Sequence, residues 1–251
     1  MLNSRNAWRT ALAVLTLLTA CGLLAARKTR AGPAAAETGA IAGSIYYRGP
    51  KPQLRPIPMK GDPVCASLHA TPMYPQDGRV NGNGTLPFAF VYVKQSSVSL
   101  PSTPPRAPVV LTQKGCEYEP HVMGVMVGQP FEVLTVDPTT HNIHVMAKIN
   151  REWNVSQQPG SPSVVRRFDH AEVMIPVRCN VHPWMKAYVG VVDNPYYAVT
   201  GTDGSFQIKG LAPGDYTIAV WTASFGTQER HVTVRAGETA AADFTFTGAA
   251  R

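Results

Sequence analysis

The sequence predicts an all-β chain, folded as one β-sandwich or a pair of them. Three observations carry that expectation. After residue 38 the apolar residues fall in short runs that alternate with polar ones. Turn signals separate the runs, among them Asn81-Gly82-Asn83-Gly84, Asp203-Gly204 and Pro213-Gly214-Asp215. No stretch beyond that point keeps the period of a long amphipathic helix.

Taken in order, Ile41 to Tyr47 reads as the first strand, closed by Arg48-Gly49-Pro50. Phe88 to Lys94 alternates aromatic and aliphatic residues, and Pro108 to Thr112 is a shorter run. Val122 to Val127 follows, then the Gly128-Gln129-Pro130 turn and Phe131 to Val136. His141 to Met146 alternates again. Val173 to Cys179 reads as a strand despite Pro176, a residue that points to an edge or a bulge. Tyr188 to Val192, Ser205 to Ile208, Tyr216 to Trp221, His231 to Val234 and Ala242 to Thr247 complete the set.

The chain's 251 residues allow one large domain or two small ones. Hydrophobic residues make up 44% and charged residues 16%. Gly and Pro together are about 17% of the chain, below the roughly 25–30% of low-complexity segments. The composition is that of a globular chain rich in turns. The net charge is +7, spread without a run of basic residues, which excludes a nucleic-acid arm. No c-type haem attachment motif, phosphate-binding loop or dinucleotide fingerprint is present.

The N-terminus reads as an export or anchor segment. Arg5 and Arg9 precede an apolar run from Ala11 to Ala26, about 16 residues long. That is short for a membrane-spanning helix of ~20 residues and suits a signal segment. Leu18-Thr19-Ala20-Cys21 resembles a bacterial lipobox, which implies lipidation of Cys21 and a signal segment at 1–20. An uncleaved anchor stays open, because Leu23-Leu24 continues the run and Arg27, Lys28 and Arg30 stop it. Cleavage further on stays open too. No twin-Arg pair is visible, which favours general secretion. Each version places the body outside the cytoplasm, in the periplasm or beyond, and the lipid or helix versions attach it to the membrane. Residues 21–38 read as a flexible tether. In that oxidising setting Cys65 and Cys116 can pair as a disulfide. They can also stand as two buried thiols, or join His69 and His121 in a second metal site.

One segment carries chemistry. Residues 179–185 read Cys-Asn-Val-His-Pro-Trp-Met, between two expected strands. A tight loop there turns Cys179, His182 and Met185 toward one point, and a further ligand should come from another strand end. Asp137-Pro-Thr-Thr-His141-Asn142-Ile143-His144 supplies it. One thiolate, two imidazoles and a thioether form the blue-copper set. Zinc prefers two or more Cys or three His.

The Cys-x-x-His-x-x-Met loop, with Pro183 directly after its His, resembles the copper loop of amicyanin- and plastocyanin-like cupredoxins. The upstream His-Asn-x-His and the Gly-Gln-Pro turn fit the same pattern, over roughly residues 108–198. The resemblance implies a Greek-key β-sandwich and one mononuclear type 1 copper. Its ligands would be His141, Cys179, His182 and the axial Met185. Asn142 would hydrogen-bond across to the Cys loop, with Pro183 beside it in the surrounding shell. His144 is the rival first ligand. Residues three apart in a strand face opposite ways, so only one of the two reaches the metal, and the family pattern selects His141. Trp184 either covers the metal or is an exposed docking aromatic. His170 and His231 read as surface residues.

Thr202-Asp-Gly-Ser-Phe206 and Leu211-Ala-Pro-Gly214-Asp-Tyr216 resemble a carboxypeptidase regulatory-like domain, a small transthyretin-like, Ig-like β-sandwich. Its opening strand resembles Gly39 to Pro50. The expected organisation is one sandwich from 39–107 and 199–248, with the cupredoxin at 108–198 inserted between them. A sequential arrangement is the alternative.

The resulting expectation is an exported, anchored blue-copper protein that transfers single electrons. Its partners would be redox proteins such as cytochromes or membrane respiratory complexes. Copper binding and delivery is the alternative, less favoured because the Met residues are scattered. An enzyme is not expected: Arg178 and Asn180 flank Cys179 where multicopper oxidases carry His, and no His-x-His pair is present.

Overall fold

The computed structural model describes residues 37–250. The signal segment 1–20, Cys21 and nearly all of the 21–38 tether lie outside the described residues. Among the described residues no helix is long and apolar enough to cross a membrane.

The chain opens with strand β1 (Gly39–Arg48). A long strap follows, with a 3-10 turn at Met59–Gly61 and the short helix α1 (Pro63–Ser67). After β2 (Phe90–Ser96) come β3 (Val109–Lys114), β4 (Glu117–Glu119), β5 (Val122–Met126) and β6 (Phe131–Thr135). Next are β7 (His141–Val145), β8 (Trp153–Gln157), β9 (Val164–Arg166), β10 (Glu172–Arg178) and β11 (Lys186–Val192). The last are β12 (Tyr197–Val199), β13 (Ser205–Leu211), β14 (Gly214–Thr222), β15 (Gly226–Val234), β16 (Thr239–Ala241) and β17 (Phe244–Thr247).

These strands form four sheets that pack as two sandwiches. In one, β5-β11-β10-β7-β8 faces β4-β3-β6-β9 across a core that includes Leu111, Phe131, Val133, Ile143, Val177 and Val189. In the other, β12-β2-β14-β15 faces the sheet built around β1, which pairs with β13, β16 and β17. Ile41, Ile45, Phe206, Ile218 and Phe244 share that second core. Residues 39–48 and 205–247 thus build one body, although β3 to β11 separate them in sequence.

The strap departs from the expected 39–107 grouping. Met59 and Cys65 belong to the core of the β3–β11 sandwich, with Ile57 and Met73 packed against it. Of the edge or bulge expected for Val173–Cys179, the structure has the second: β10 is an interior strand with an irregular ladder. Pro176 is accommodated on the β7 side, where the ladder begins only at Val177. The register shifts between Glu172 and Ile175, and pairing with β7 covers only Val177 and Arg178.

The seat between the sandwiches is cut by two glycines. Gly124 on β5 pairs with Gly190 on β11. A Cβ on Gly124 would stand 2.2 Å from the Tyr197 ring, and one on Gly190 2.5 Å from Phe90. The missing side chains let both rings lie flat on the sheet. β11, which begins right after Met185, is packed by Phe90 on its Gly190 face and buries Val189 and Val191 in the core of its own sandwich.

Candidate metal centre

The centre is built where β7 begins and where β10 turns into β11. Cys179 follows the last residue of β10, and Met185 precedes the first of β11. Within the loop, Met185 N–H donates to the His182 carbonyl (2.9 Å) and Cys179 N–H to the Met185 carbonyl (3.3 Å). These bonds draw the loop closed. His141 Nδ1 lies 2.9 Å from His182 Nδ1, and His182 Nδ1 lies 3.9 Å from Cys179 Sγ. The three donor atoms all fall within 4.8 Å of one another. His141, Cys179, His182 and Met185 are each at most 3% exposed.

The far nitrogens of both imidazoles are held by carboxylates. His141 Nε2 meets Asp137 Oδ2 at 2.9 Å, and His182 Nε2 meets Asp62 Oδ2 at 2.7 Å. Nε2–H donation to a carboxylate leaves Nδ1 as a lone pair, and it orients the ring. Two lone pairs facing each other at 2.9 Å repel. A cation between them turns that repulsion into two bonds. Burial pushes the His141 pKa down against the hydrogen bond the ring donates to Asp137, which favours the neutral form that binds metals. The hydrogen bond from His182 holds the Asp62 carboxyl below its ordinary range. Donor types, burial and directions all fit a copper ion of the blue type.

The carboxylates are themselves fixed. Asp137 accepts the backbone N–H groups of Gly115 (2.6 Å) and Cys116 (2.8 Å). Those two residues form the tight turn between β3 and β4, both with positive φ. Such a turn suits Gly but strains Cys. A disulfide to Cys65 and the Asp137 carboxylate hold Cys116 there. Asp62 is the N-cap of α1, accepting Cys65 N–H at 3.0 Å. The Cys65–Cys116 disulfide therefore joins the outer partners of both histidines, and Cys65 Sγ stands 3.5 Å from His182 Nε2.

Asn142 does bond across to the Cys loop. Its Oδ1 accepts Asn180 N–H (2.6 Å) and Val181 N–H (3.3 Å). The backbone N–H groups of Asn142 and His182 point at Cys179 Sγ from 3.5 and 3.4 Å. Tyr118 OH donates to the carbonyls of Asn142 (2.5 Å) and Arg178 (3.0 Å), tying the two ligand-bearing strands together.

Pro183 is exposed at the loop apex. Trp184 is half-buried: it packs 5.1 Å from the His182 ring and donates to the Cys116 carbonyl at 3.1 Å, so it covers the centre. His144 points away from the cluster to Glu152. His170 and His231 are exposed. His69 bonds the Gly115 carbonyl and His121 bonds Asp77. The disulfide uses both remaining sulfurs, so a second metal site on Cys65, Cys116, His69 and His121 is ruled out. The two other cation-type groupings each reuse a histidine of this cluster and a disulfide sulfur.

Sequence reasoning missed Asp62, Tyr118 and the carboxylate role of Asp137. Asp137 carried a signal, four residues before His141. Asp62-Pro63 reads as a helix start, and nothing local ties it to His182, which lies 120 residues on.

Residues 182–247 match the family model of the carboxypeptidase regulatory-like domain. The match opens inside the metal loop and takes in β11 before reaching the second sandwich. Comparison with curated proteins finds no match. Among solved structures, the copper-containing nitrite reductase of Thermus scotoductus is similar at 20% identity. That alignment covers 34% of this chain but only 22% of the reductase, with a TM-score of 0.32. A purple cupredoxin from Nitrosopumilus maritimus is 18% identical over 33% of this chain and 98% of its own, TM-score 0.29. A reduced amicyanin variant is 19% identical over 41% of this chain and 98% of its own, TM-score 0.31. The chain thus carries a match to the carboxypeptidase regulatory-like domain over residues 182–247, and its β3–β11 sandwich holds a buried cluster of His141, Cys179, His182 and Met185, the donor set of a type 1 copper site.

Proposed function

We propose that the chain holds one copper ion on His141, Cys179, His182 and Met185 and carries single electrons between redox partners. It would work outside the cytoplasm, attached to a membrane through its N-terminal segment. Cytochromes or membrane respiratory complexes are the partners that suit an anchored carrier. The observation that carries the reading is the inward set of Nδ1, Nδ1 and Sγ, with both imidazoles locked from behind by carboxylates.

Copper in such a set supplies one-electron chemistry, since thiolate and thioether suit Cu(I) and imidazole suits Cu(II). The protein's part is to keep the ligands still. The closed loop, the two carboxylates and the Asn142 bridge hold the ligand positions in advance, so little has to rearrange when charge changes. Burial of all four side chains favours retention of the metal over exchange.

The copper-loaded chain is expected to take one electron from ascorbate and return it to ferricyanide over repeated cycles. A copper(I) chelator present throughout should remove little metal. Loss of the copper to the chelator on first reduction would replace the carrier reading with copper delivery.

A further inference from the structure

Beside the metal loop lies a cavity of about 460 Å³ that the electron-carrier reading leaves unused. Leu54 and Ile57 of the strap wall it on one side, and Tyr118 and Trp184 on the other. Met185, the thioether of the cluster, reaches its lining. Polar side chains line it as well, Arg55, Gln76 and Lys186 among them, and Lys186 lies 3.7 Å from Asp77. His121 and Asp77 bond each other at 2.8 Å, and Asp77 also accepts the Tyr188 hydroxyl at 3.0 Å. Glu117 differs: its one side-chain partner is Gln76, at 3.4 Å. Burial pushes its carboxyl pKa up.

We propose that this cavity binds a neutral, hydroxylated aromatic ring, a hydroquinone or related phenol, as the electron donor to the metal centre. The inference rests on the copper reading given above. The size admits a substituted ring, and the apolar side chains of Leu54, Ile57 and Trp184, with the Glu117 carboxylate to accept a ring O–H, suit such a ligand. The charges of the lining are mixed, Arg55 and Lys186 against Glu117 and Asp77, so neither sign of ligand is selected. A small polar donor would leave Leu54, Ile57 and Trp184 wetted. The electron and proton have separate destinations. One ring O–H bond breaks, its proton passes to the Glu117 carboxylate, and one electron passes to copper(II), which becomes copper(I). The ring leaves as a neutral radical. Two such radicals disproportionate to one hydroquinone and one quinone, and Glu117 returns its proton to water.

The test has a binding arm and a kinetic arm. Hydroquinone is titrated calorimetrically, without oxygen, into the metal-free chain and into Leu54→Trp, which fills the cavity. Saturable binding that weakens by about tenfold or more in Leu54→Trp is expected. Ile57→Trp serves in its place if that variant misfolds. In the copper-loaded chain, reduction should saturate with hydroquinone. Glu117→Gln, whose amide oxygen can accept the ring O–H but cannot take its proton, should slow reduction at saturating hydroquinone by about tenfold or more. Absence of saturable binding, or binding indifferent to both cavity-filling variants, overturns the proposal. Reduction strictly linear in hydroquinone overturns the donor role. Binding by a chain that shows no thiolate–copper band would keep the ring site and refute the copper reading alone.

Discussion

Asp137→Asn is expected to weaken copper binding by about 10–100-fold and to destabilise the metal-free chain by about 1–3 kcal/mol. The carboxylate is 5% exposed and accepts from His141 Nε2, Gly115 N–H and Cys116 N–H. Asn offers one acceptor and one donor. Whichever way the amide turns, its NH₂ faces a donor: His141 and Cys116 on one side, Gly115 on the other. With the NH₂ toward His141, the bond that fixes its Nδ1 toward the cluster is lost; with the NH₂ toward Gly115, that bond survives but loses its charged acceptor. Asp62→Asn should act in the same direction with a smaller stability cost, because Asp62 is only partly buried. Chelator competition gives the affinities, and urea unfolding of the metal-free variants gives the stabilities. Equal copper affinity in Asp137→Asn and the parent chain would mean that the carboxylate does not orient His141.

The second large effect concerns the Cys65–Cys116 disulfide, which closes a sequence separation of 51. Chain entropy assigns such a loop about 4 kcal/mol. The double variant Cys65→Ala, Cys116→Ala is expected to lose most of that in denaturant unfolding. It should also bind copper about tenfold or more weakly, since α1 and its cap Asp62 are no longer tied to the β3–β4 turn. A variant equally stable but weak in copper would separate positioning from stability. A variant unchanged in both would show that the strap stays seated on Ile57, Met59 and Met73 alone.

The parts of this molecule legible in its sequence are those governed by neighbours along the chain. β1, β2, β6, β7, β11 and β14 alternate or are densely apolar, so their runs announced them. β4, β9, β12 and β16 are only three residues long, too short for a pattern to form. β8 escaped because Trp153, Val155 and Gln157 turn inward from a run of otherwise polar residues. Cys179, His182 and Met185 were readable as one group because a single loop carries them. The strap was not. Asp62, Cys65, Ile57 and Met73 find their places through contacts far apart in sequence, which local spacing does not encode. The disulfide was open among three readings for the same reason. Gly115-Cys116 hid its role because a tight turn with positive φ at Cys is not a preferred turn sequence.

The most direct measurement is the visible and EPR spectrum of the copper(II)-loaded chain beside Cys179→Ser. The account predicts an intense thiolate-to-copper band with small copper hyperfine splitting in the parent chain. Both signatures should vanish in Cys179→Ser, while His141 and His182 still retain some copper. A weak band that Cys179→Ser leaves unchanged would mean that the thiolate is not a ligand, and the buried cluster would not be a type 1 site.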